Sequence, residues 1–151
     1  MIKVMFVCHG NICRSVTAEY VFAEMVRRAD RKDIFVDSSA TSTEAIGEDV
    51  YPPAKRTLVA HGIPCPHHVA RQITAKEIAE YDYILCMDER NLRYLSRIAP
   101  LTSGNVHLLG EYGSDGAEIE DPWYTGRFDY VFDRISACAK SFLESLPASD
   151  R

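Results

Sequence analysis

The sequence predicts an α/β fold, a three-layer sandwich in which a four-stranded parallel sheet carries helices on both faces. Short apolar runs alternate along the chain with stretches of helical periodicity, an order typical of parallel strands joined by crossover helices. The first run, residues 2–7, is apolar at all but one position, as expected for a central strand that is buried on both faces. With 151 residues, the chain is predicted to form a single domain over residues 1–151.

The first half of the chain is predicted to contain two strands and two helices. After the first strand, apolar residues recur at helical spacing from Ser15 onward, which predicts a helix of about 15 residues. Residues 34–37 are predicted to form the second strand, and the polar residues 38–49 a loop. A Pro-Pro pair then begins a helix over residues 52–61, and Gly62 ends it.

The next segment is predicted to contain a short helix, a strand and a longer helix. Thr74, with Glu77 three residues later, forms a capping-box pattern that predicts the start of a short helix. Residues 83–87 are predicted to form the third strand. Asp88 follows directly and is predicted to be the N-cap of a helix that ends near residue 98.

The last segment is predicted to bring a long loop to the ligand-binding edge of the sheet. Residues 105–109 form the predicted fourth strand, residues 110–126 a loop, and an amphipathic helix begins at Phe128. Ligands of parallel sheets bind beyond the carboxyl ends of the strands. Cys8 follows one such end and the long loop follows another, so we expect the two to meet.

The residues that follow the first strand, Cys8 to Ser15 (CHGNICRS), form the strongest motif in the chain. A strand, a tight loop and a helix N-terminus would bring one thiol, the Arg14 guanidinium and several backbone N–H groups to one point. This arrangement suits a tetrahedral dianion and favours the reactive thiolate of Cys8. Gly10 and Asn11 suit the tight loop, while Ser15 could cap the helix or donate to the thiolate. The alternative is a buried cysteine with Arg14 in solvent.

The composition narrows the possible functions. A net charge of −5 argues against broad nucleic-acid binding, so any anion site must be local. No apolar run approaches the ~18 residues of a membrane span, and the start of the chain is predicted to be a strand rather than a signal peptide. Five cysteines without CxxC pairs indicate a reducing compartment, predicted to be the cytoplasm. Since the Cys and His spacings do not match a zinc site, we expect no metal and no cofactor.

The chain resembles the low-molecular-weight protein tyrosine phosphatases in several segments that occur in the family's order and spacing. The first is VMFVCHGNICRS, and the others are VDSSATS, HGI, HVARQIT, YDYILCMDERNL and EDPWYTG. The resemblance extends from Lys3 to about Leu146. It implies a phosphatase that hydrolyses phosphotyrosine and small aryl phosphates through a phosphocysteine. Its partners would be phosphotyrosine-containing proteins, and inorganic phosphate would be its product.

Displacement of a phenol from phosphorus needs a proton donor, because a free tyrosine phenol has a pKa of about 10. Asp121 in EDPWYTG is the candidate, and the resemblance implies the same role for it. Cys8 would attack phosphorus while Asp121 protonates the leaving oxygen, and Asp121 would then activate the water that hydrolyses the phosphocysteine. Arg14 and the N–H groups of residues 10–15 would hold the phosphate oxygens. Without such a site, Asp121 would be expected in an Asx turn of a surface loop.

Several neighbouring residues are predicted to contact the substrate. Trp123 and Tyr124 could form an aromatic wall, and ordinary packing is the alternative for each. Ile12 offers an apolar side chain within the loop; the resemblance implies that Ile here accompanies aryl phosphates, whereas Thr accompanies phosphoarginine. The predicted substrate-binding residues are His9, Gly10, Asn11, Ile12, Cys13, Ser15, Trp123 and Tyr124.

Three supporting roles follow from the resemblance alone. His68 matches a histidine that hydrogen-bonds the loop Ser and Asn through a buried network, and Ser38 matches another member of that network. Cys13 matches a second thiol that forms a reversible disulfide with the nucleophile under oxidation and so protects it. Local packing is the alternative for all three residues.

Three positions depart from the usual family pattern. Val16 replaces a common Pro, which predicts a less rigid first helical turn at position N1. His9 stands where an apolar residue is usual and could contact substrate at the pocket mouth. Glu44 stands where many members place an aromatic residue, and its charge could weaken the binding of acidic phosphopeptides. We expect these changes to affect substrate preference rather than the reaction.

Two other functions stay open. An arsenate reductase on the same scaffold would need two further cysteines close together on a mobile segment, whereas Cys65, Cys86 and Cys138 lie far apart in the sequence. A phosphocysteine carrier or binding module would hold phosphate without hydrolysing it. Such a module needs no proton donor, so Asp121 argues against it.

Overall fold

The computed structural model describes residues 1–148 and is organised around a four-stranded parallel sheet. The strands lie in the order β2-β1-β3-β4, so that β1 is paired on both sides. The strands are β1 (Ile2–Cys8), β2 (Ile34–Ala40), β3 (Tyr83–Cys86) and β4 (Val106–Leu108). The predicted α/β class, strand number and parallel pairing are confirmed.

Six α-helices and one 3-10 helix (Leu109–Tyr112) lie among the described residues. The predicted caps are confirmed, because Thr74 and Asp88 each accept a hydrogen bond from the backbone three residues on. None of the helices in residues 1–148 is long and apolar enough to cross a membrane. The α-helices are α1 (Arg14–Arg28), α2 (Pro52–Ala60), α3 (Ala75–Glu80), α4 (Glu89–Ile98), α5 (Pro122–Thr125) and α6 (Phe128–Ser145).

The helices cover both faces of the sheet, as predicted. Successive side chains of a strand point to opposite faces, and β1 supplies both cores. Val4 and Phe6 pack in one core with residues of α1 and α6. Met5 and Val7 pack in the other core with residues of α3 and α4. Because β1 pairs on both sides, its carboxyl end, where Cys8 lies, is near the centre of the sheet edge.

Several element boundaries differ from the prediction, and two of these differences lie beside the Cys8 loop. β2 continues past its predicted end to Ala40, because its last residues stay in register with β1. α1 begins at Arg14 with Cys13 at the N-cap position, and no side chain caps this helix. Ser15 is therefore not the N-cap residue. Val16 is the third helical residue and not N1, so the predicted loss of rigidity at N1 is wrong.

The segment after β4 folds back onto the sheet and is only partly a loop, since it contains the 3-10 helix and α5. Gly110 allows a close return of the chain, because a Cβ at this position would lie 1.9 Å from the Ala117 carbonyl oxygen. The Ile119 N–H then donates to the Met87 carbonyl at 2.9 Å, just beyond β3. These contacts carry the chain to the carboxyl edge of the sheet, where β1 ends.

Candidate active site

The loop between β1 and α1 places hydrogen-bond donors around the Cys8 sulfur. The Asn11 N–H donates to Cys8 Sγ at 3.3 Å, and the Ser15 N–H donates to it at 3.4 Å. Ser15 Oγ lies 3.0 Å from the same sulfur. Because Ser15 Oγ itself accepts from Asn11 Nδ2, its own proton is available to Cys8. Three donors thus converge on the sulfur and can stabilise negative charge there.

Asn11 holds the loop in its shape from a fully buried position. Its backbone is left-handed, with φ of 62°, a conformation that Asn tolerates better than most residues. Its side-chain amide donates to Ser15 Oγ at 2.8 Å and to Ser38 Oγ at 2.9 Å. Its carbonyl oxygen accepts from His68 Nε2 at 2.7 Å, so the proton of His68 lies on Nε2. Ser38 and His68 therefore both contact the residue that shapes the loop.

A partly buried carboxyl group that the sequence did not indicate extends this network. Glu19 on α1 accepts a hydrogen bond from Ser38 Oγ at 2.5 Å. Burial raises the pKa of Glu19 to about 7, and the nearby Asp37 charge adds to the rise, while the Ser38 hydrogen bond opposes it. A glutamate in an amphipathic helix is usually exposed, so the sequence pattern carries no signal for this position.

Arg14 points to the same place from the first turn of α1, and it is only 3% exposed. Its Nη1 donates to Asp88 Oδ2 and to the Ile119 carbonyl oxygen, both at 2.8 Å. Burial disfavours its charge, but Cys8, Asp121 and Asp88 together raise the pKa of Arg14. Nη2 lies 3.7 Å from Asp121 Oδ2, beyond hydrogen-bond distance, so this nitrogen is available to a bound anion.

Asp121 faces the Cys8 loop from the N-cap position of α5. Its Oδ1 accepts from the Trp123 N–H at 3.0 Å, while its Oδ2 lies toward Arg14. For Asp121, an Asx-type cap and a position facing the Cys8 loop were predicted as alternatives. The structure shows both together. The neighbouring Glu120 is bound by Arg127 and Thr125, and these contacts lower the pKa of Glu120 to about 2. Glu120 therefore anchors the segment as a carboxylate.

A cavity of about 260 Å³ opens between the Cys8 loop and α5. All the predicted substrate-binding residues line it except Asn11 and Ser15, which are buried beneath the loop. The Trp123 side chain is supported by the Tyr51 ring, with 4.6 Å between ring centroids. Trp123 and Tyr124 are nevertheless 53% and 78% exposed. They form one wall of the cavity and do not belong to a core.

At the mouth of the cavity, His9 and Glu44, which the sequence singled out separately, contact each other. His9 Nε2 lies 2.9 Å from Glu44 Oε2, and Glu48 lines the same side of the cavity. The His9 ring also packs against Tyr94 of α4, with 5.7 Å between ring centroids. His9 therefore lies between an acidic side of the mouth and the first turns of α4.

The five cysteines are all free thiols. Burial raises the pKa of the Cys13 thiol, and the nearby Cys8 adds to this rise, so Cys13 is a neutral thiol beside Cys8. A protective Cys8–Cys13 disulfide stays a prediction. Cys86 and Cys138 pack in the two cores on opposite faces of the sheet, which does not suit a disulfide relay. Residues 1–148 contain no group of His, Cys, Asp or Glu side chains that could hold a metal ion.

Asp88 has its predicted capping role and also positions Arg14, which was not predicted. One Asp88 oxygen accepts from the backbone of Asn91 at the start of α4, and the other accepts from Arg14. A signal for this second role was available, because Asp88 follows the carboxyl end of β3, at the same sheet edge as Cys8. Tyr51, which supports Trp123, carried no such signal.

The fold and the cavity together define an α/β enzyme with a pocket at the strand ends and a cysteine at its floor. The sequence profile described as low molecular weight phosphotyrosine protein phosphatase matches residues 3–151. The chain therefore belongs to the low molecular weight phosphotyrosine protein phosphatase family, and it is a protein tyrosine phosphatase.

Individual relatives agree with this assignment. The low molecular weight phosphotyrosine protein phosphatase of Homo sapiens is 43% identical over 149 residues, which cover 94% of each chain. Among solved structures, YfkJ from Bacillus subtilis superposes with a TM-score of 0.91 at 32% identity, covering 96% of this chain and 94% of that one. A Drosophila arginine phosphatase superposes with a TM-score of 0.86 at 30% identity, covering 99% and 100% of the two chains.

Proposed function

We propose that the chain hydrolyses phosphotyrosine through a phosphocysteine formed on Cys8. The observation that carries this proposal is the convergence in one cavity of the Cys8 sulfur with its three donors, the Arg14 guanidinium and the Asp121 carboxyl group. Each group supplies a different requirement of the reaction: a nucleophile, a positive field for the equatorial oxygens, and a proton for the leaving group.

In the first step, the Cys8 thiolate attacks phosphorus in line with the leaving phenolic oxygen. The S–P bond forms as the P–O bond breaks, and protonated Asp121 gives its proton to the departing oxygen. Arg14 Nη2 and the loop N–H groups bind the three equatorial oxygens, where the charge is shared. Since Asp88 and Ile119 already hold Arg14 in place, little reorganisation is needed when phosphate enters.

In the second step, water attacks the phosphocysteine. Asp121, now a carboxylate, takes a proton from this water, and the S–P bond breaks to regenerate the Cys8 thiolate. Inorganic phosphate leaves, and Asp121 is again protonated. The Ser15 hydroxyl, 3.0 Å from the sulfur, can donate to the thiolate as it departs. In this cycle, Arg14 and the backbone N–H groups at the start of α1 supply the positive field around the phosphate.

The shape of the cavity supports aryl phosphates as the substrate class. Ile12 contributes an apolar surface inside the loop, and Trp123 and Tyr124 contribute a wall on which an aromatic ring can pack. An arginine phosphatase shares this fold at 30% identity, so phosphoarginine is the informative competing substrate. The five free thiols support a reducing location, which we take to be the cytoplasm.

The experiment that tests the proposal is phosphate release from a phosphotyrosine peptide in EDTA, for wild type, Cys8→Ser and Asp121→Asn. We expect no turnover with Cys8→Ser, and a fall of about two to four decades in kcat with Asp121→Asn. With para-nitrophenyl phosphate, whose leaving group needs less protonation, the Asp121→Asn loss should be smaller. Cys65→Ser and Asp129→Asn serve as matched controls outside the cavity.

The outcomes separate the candidate functions. Rapid acid quenching of wild type with labelled substrate should trap a phosphocysteine, and phosphoarginine should be the poorer substrate. If phosphocysteine is trapped but no phosphate is released, the chain would be a phosphocysteine carrier and not a hydrolase. Equal loss with both leaving groups in Asp121→Asn would remove Asp121 from the role of proton donor.

A further inference from the structure

The exposed face of α4 carries an arginine stripe, formed by Arg90, Arg93 and Arg97. Their spacing of three and four residues places them along one side of the helix. Tyr94 lies among them, and the Arg97 guanidinium packs over its ring at 5.0 Å from the centroid. From Arg90 to Arg97 the stripe is about 10 Å long, at 1.5 Å of rise per residue.

The arginine stripe is a local positive surface on an acidic chain. Most other arginines have ion pairs: Arg71, for example, binds both Asp37 and Glu77. Within residues 1–148, none of the three stripe arginines forms an ion pair with a carboxylate. The chain has a net charge of −5, so an overall excess of positive charge does not explain this row of arginines without ion pairs. Such a row is available to an anionic partner.

The arginine stripe lies next to the mouth of the cavity. α4 follows Asp88, whose carboxylate binds Arg14 at the cavity floor. Tyr94, in the middle of the stripe, packs against His9, which lines the mouth. The opposite side of the mouth is acidic, with Glu44 and Glu48. Glu89 and Glu118 lie at the start of α4, but the three arginines outnumber these two carboxylates along the helix. The surface around the cavity is therefore net positive along α4 and negative across the mouth.

We propose that the arginine stripe docks an acidic segment of the phosphoprotein substrate beside its phosphotyrosine. The inference rests on the proposed function, because the phosphotyrosine must occupy the cavity while its flanking residues cross the mouth. An extended peptide advances about 3.3 Å per residue, so three residues match the stripe. Glu44 and Glu48 repel acidic residues on the other side, which sets the direction of the peptide. Glu44 thus disfavours acidic residues on one flank only.

The test uses two pairs of phosphotyrosine peptides, one pair for each flank. The members of a pair differ only in three residues beside the phosphotyrosine, Asp-Glu-Asp in one and Asn-Gln-Asn in the other. Arg90→Gln/Arg93→Gln removes two charges from the stripe and leaves the Arg97–Tyr94 contact in place. Lys32→Gln/Lys140→Gln removes two charges from exposed positions remote from α4 and from the cavity. Para-nitrophenyl phosphate, which has no flanking residues, reports the basal reaction.

We expect wild type to prefer the acidic peptide on one flank, and Arg90→Gln/Arg93→Gln to lower kcat/KM for it by about three- to tenfold at low salt. The neutral peptide, para-nitrophenyl phosphate and the lysine control should be unaffected, and added salt should narrow the difference. Equal use of the two peptides in both pairs by wild type would overturn the docking surface while leaving the phosphatase reaction intact. If the variant instead loses binding to anionic phospholipid vesicles while its peptide kinetics are unchanged, the stripe would be a membrane-binding surface and the peptide-docking proposal would be wrong.

Discussion

The Cys8 loop and the Asp121 segment face each other across one cavity, but they are held in different ways. The Cys8 loop is buried, and its contacts are internal: Asn11 and Ser15 are fully buried and bind each other and the sulfur. The Asp121 segment is a short helix whose aromatic side chains are largely exposed. Its anchor on the surface is the Glu120–Arg127 ion pair.

This difference separates two tasks of the enzyme. In the proposed reaction, the phosphate oxygens occupy the same positions for every substrate, so a loop that binds them can be rigid and preorganised. The leaving group and the residues around it vary between substrates, and an exposed wall can adjust to them. We therefore expect changes under the Cys8 loop to affect stability and chemistry together, and changes at the base of the Asp121 segment to affect chemistry alone.

The largest effect is expected where the two regions meet, at Arg14. Arg14→Lys keeps a positive charge but loses the planar fork that binds Asp88, Ile119 and phosphate together. We expect kcat for a phosphotyrosine peptide to fall by about two to three decades, measured under saturating substrate. Arg134→Lys, at a second arginine bound to a carboxylate and a carbonyl, is the matched control. A loss below tenfold would show that charge alone suffices at Arg14.

The next effect tests the support of the Cys8 loop through Glu19. The pKa of Glu19 is about 7 in the fold against 4.5 for an unperturbed glutamate, so protonation stabilises the fold at low pH. This stabilisation diminishes as pH rises from about 4.5 toward 7. Glu19→Gln keeps the acceptor for Ser38 but cannot ionise. Between pH 5.5 and 8 we expect wild type to lose about 2 kcal/mol of unfolding free energy relative to Glu19→Gln.

Urea unfolding at several pH values measures this difference. Glu80→Gln, at a half-exposed position on α3, should follow wild type across the whole range. Parallel curves for wild type and Glu19→Gln would mean that Glu19 is ionised in the fold at both ends of the range. The hydrogen bonds among Glu19, Ser38 and Asn11 would then have to accommodate an ionised carboxylate at Glu19.

The smallest effect is expected at the anchor of the Asp121 segment. Arg127→Gln removes the ion pair to Glu120, one residue before the proposed proton donor. We expect kcat/KM for a phosphotyrosine peptide to fall by about two- to fivefold, because the carboxyl group is less well placed. Melting temperature should not change, since exposed ion pairs contribute little to stability. A lower melting temperature with unchanged kinetics would show that this ion pair serves stability rather than chemistry. That result would contradict the contrast drawn between the Cys8 loop and the Asp121 segment.

The motifs with local physical causes were predicted well from the sequence. The strand, loop and helix around Cys8 follow from an apolar run, a Gly-Asn pair and helical periodicity, and the capping residues Thr74 and Asp88 act within a few residues. The contacts of Glu19 and the second role of Asp88 were missed. Both depend on side chains from different elements meeting in space, and neither leaves a periodic trace in the chain.

By itself, the sequence determined the α/β class, the parallel sheet, the Cys8 loop and the candidate proton donor, because these follow from hydrophobic periodicity, turn residues and a contiguous motif. Only the tertiary structure decided how the parts are combined. It placed Asp88 and Ile119 on Arg14, Glu19 beneath Ser38, and the arginine stripe beside the acidic mouth. These arrangements arise from strand order and helix packing, which bring together residues tens of positions apart, and pairings of that kind are not encoded in any single stretch of the chain.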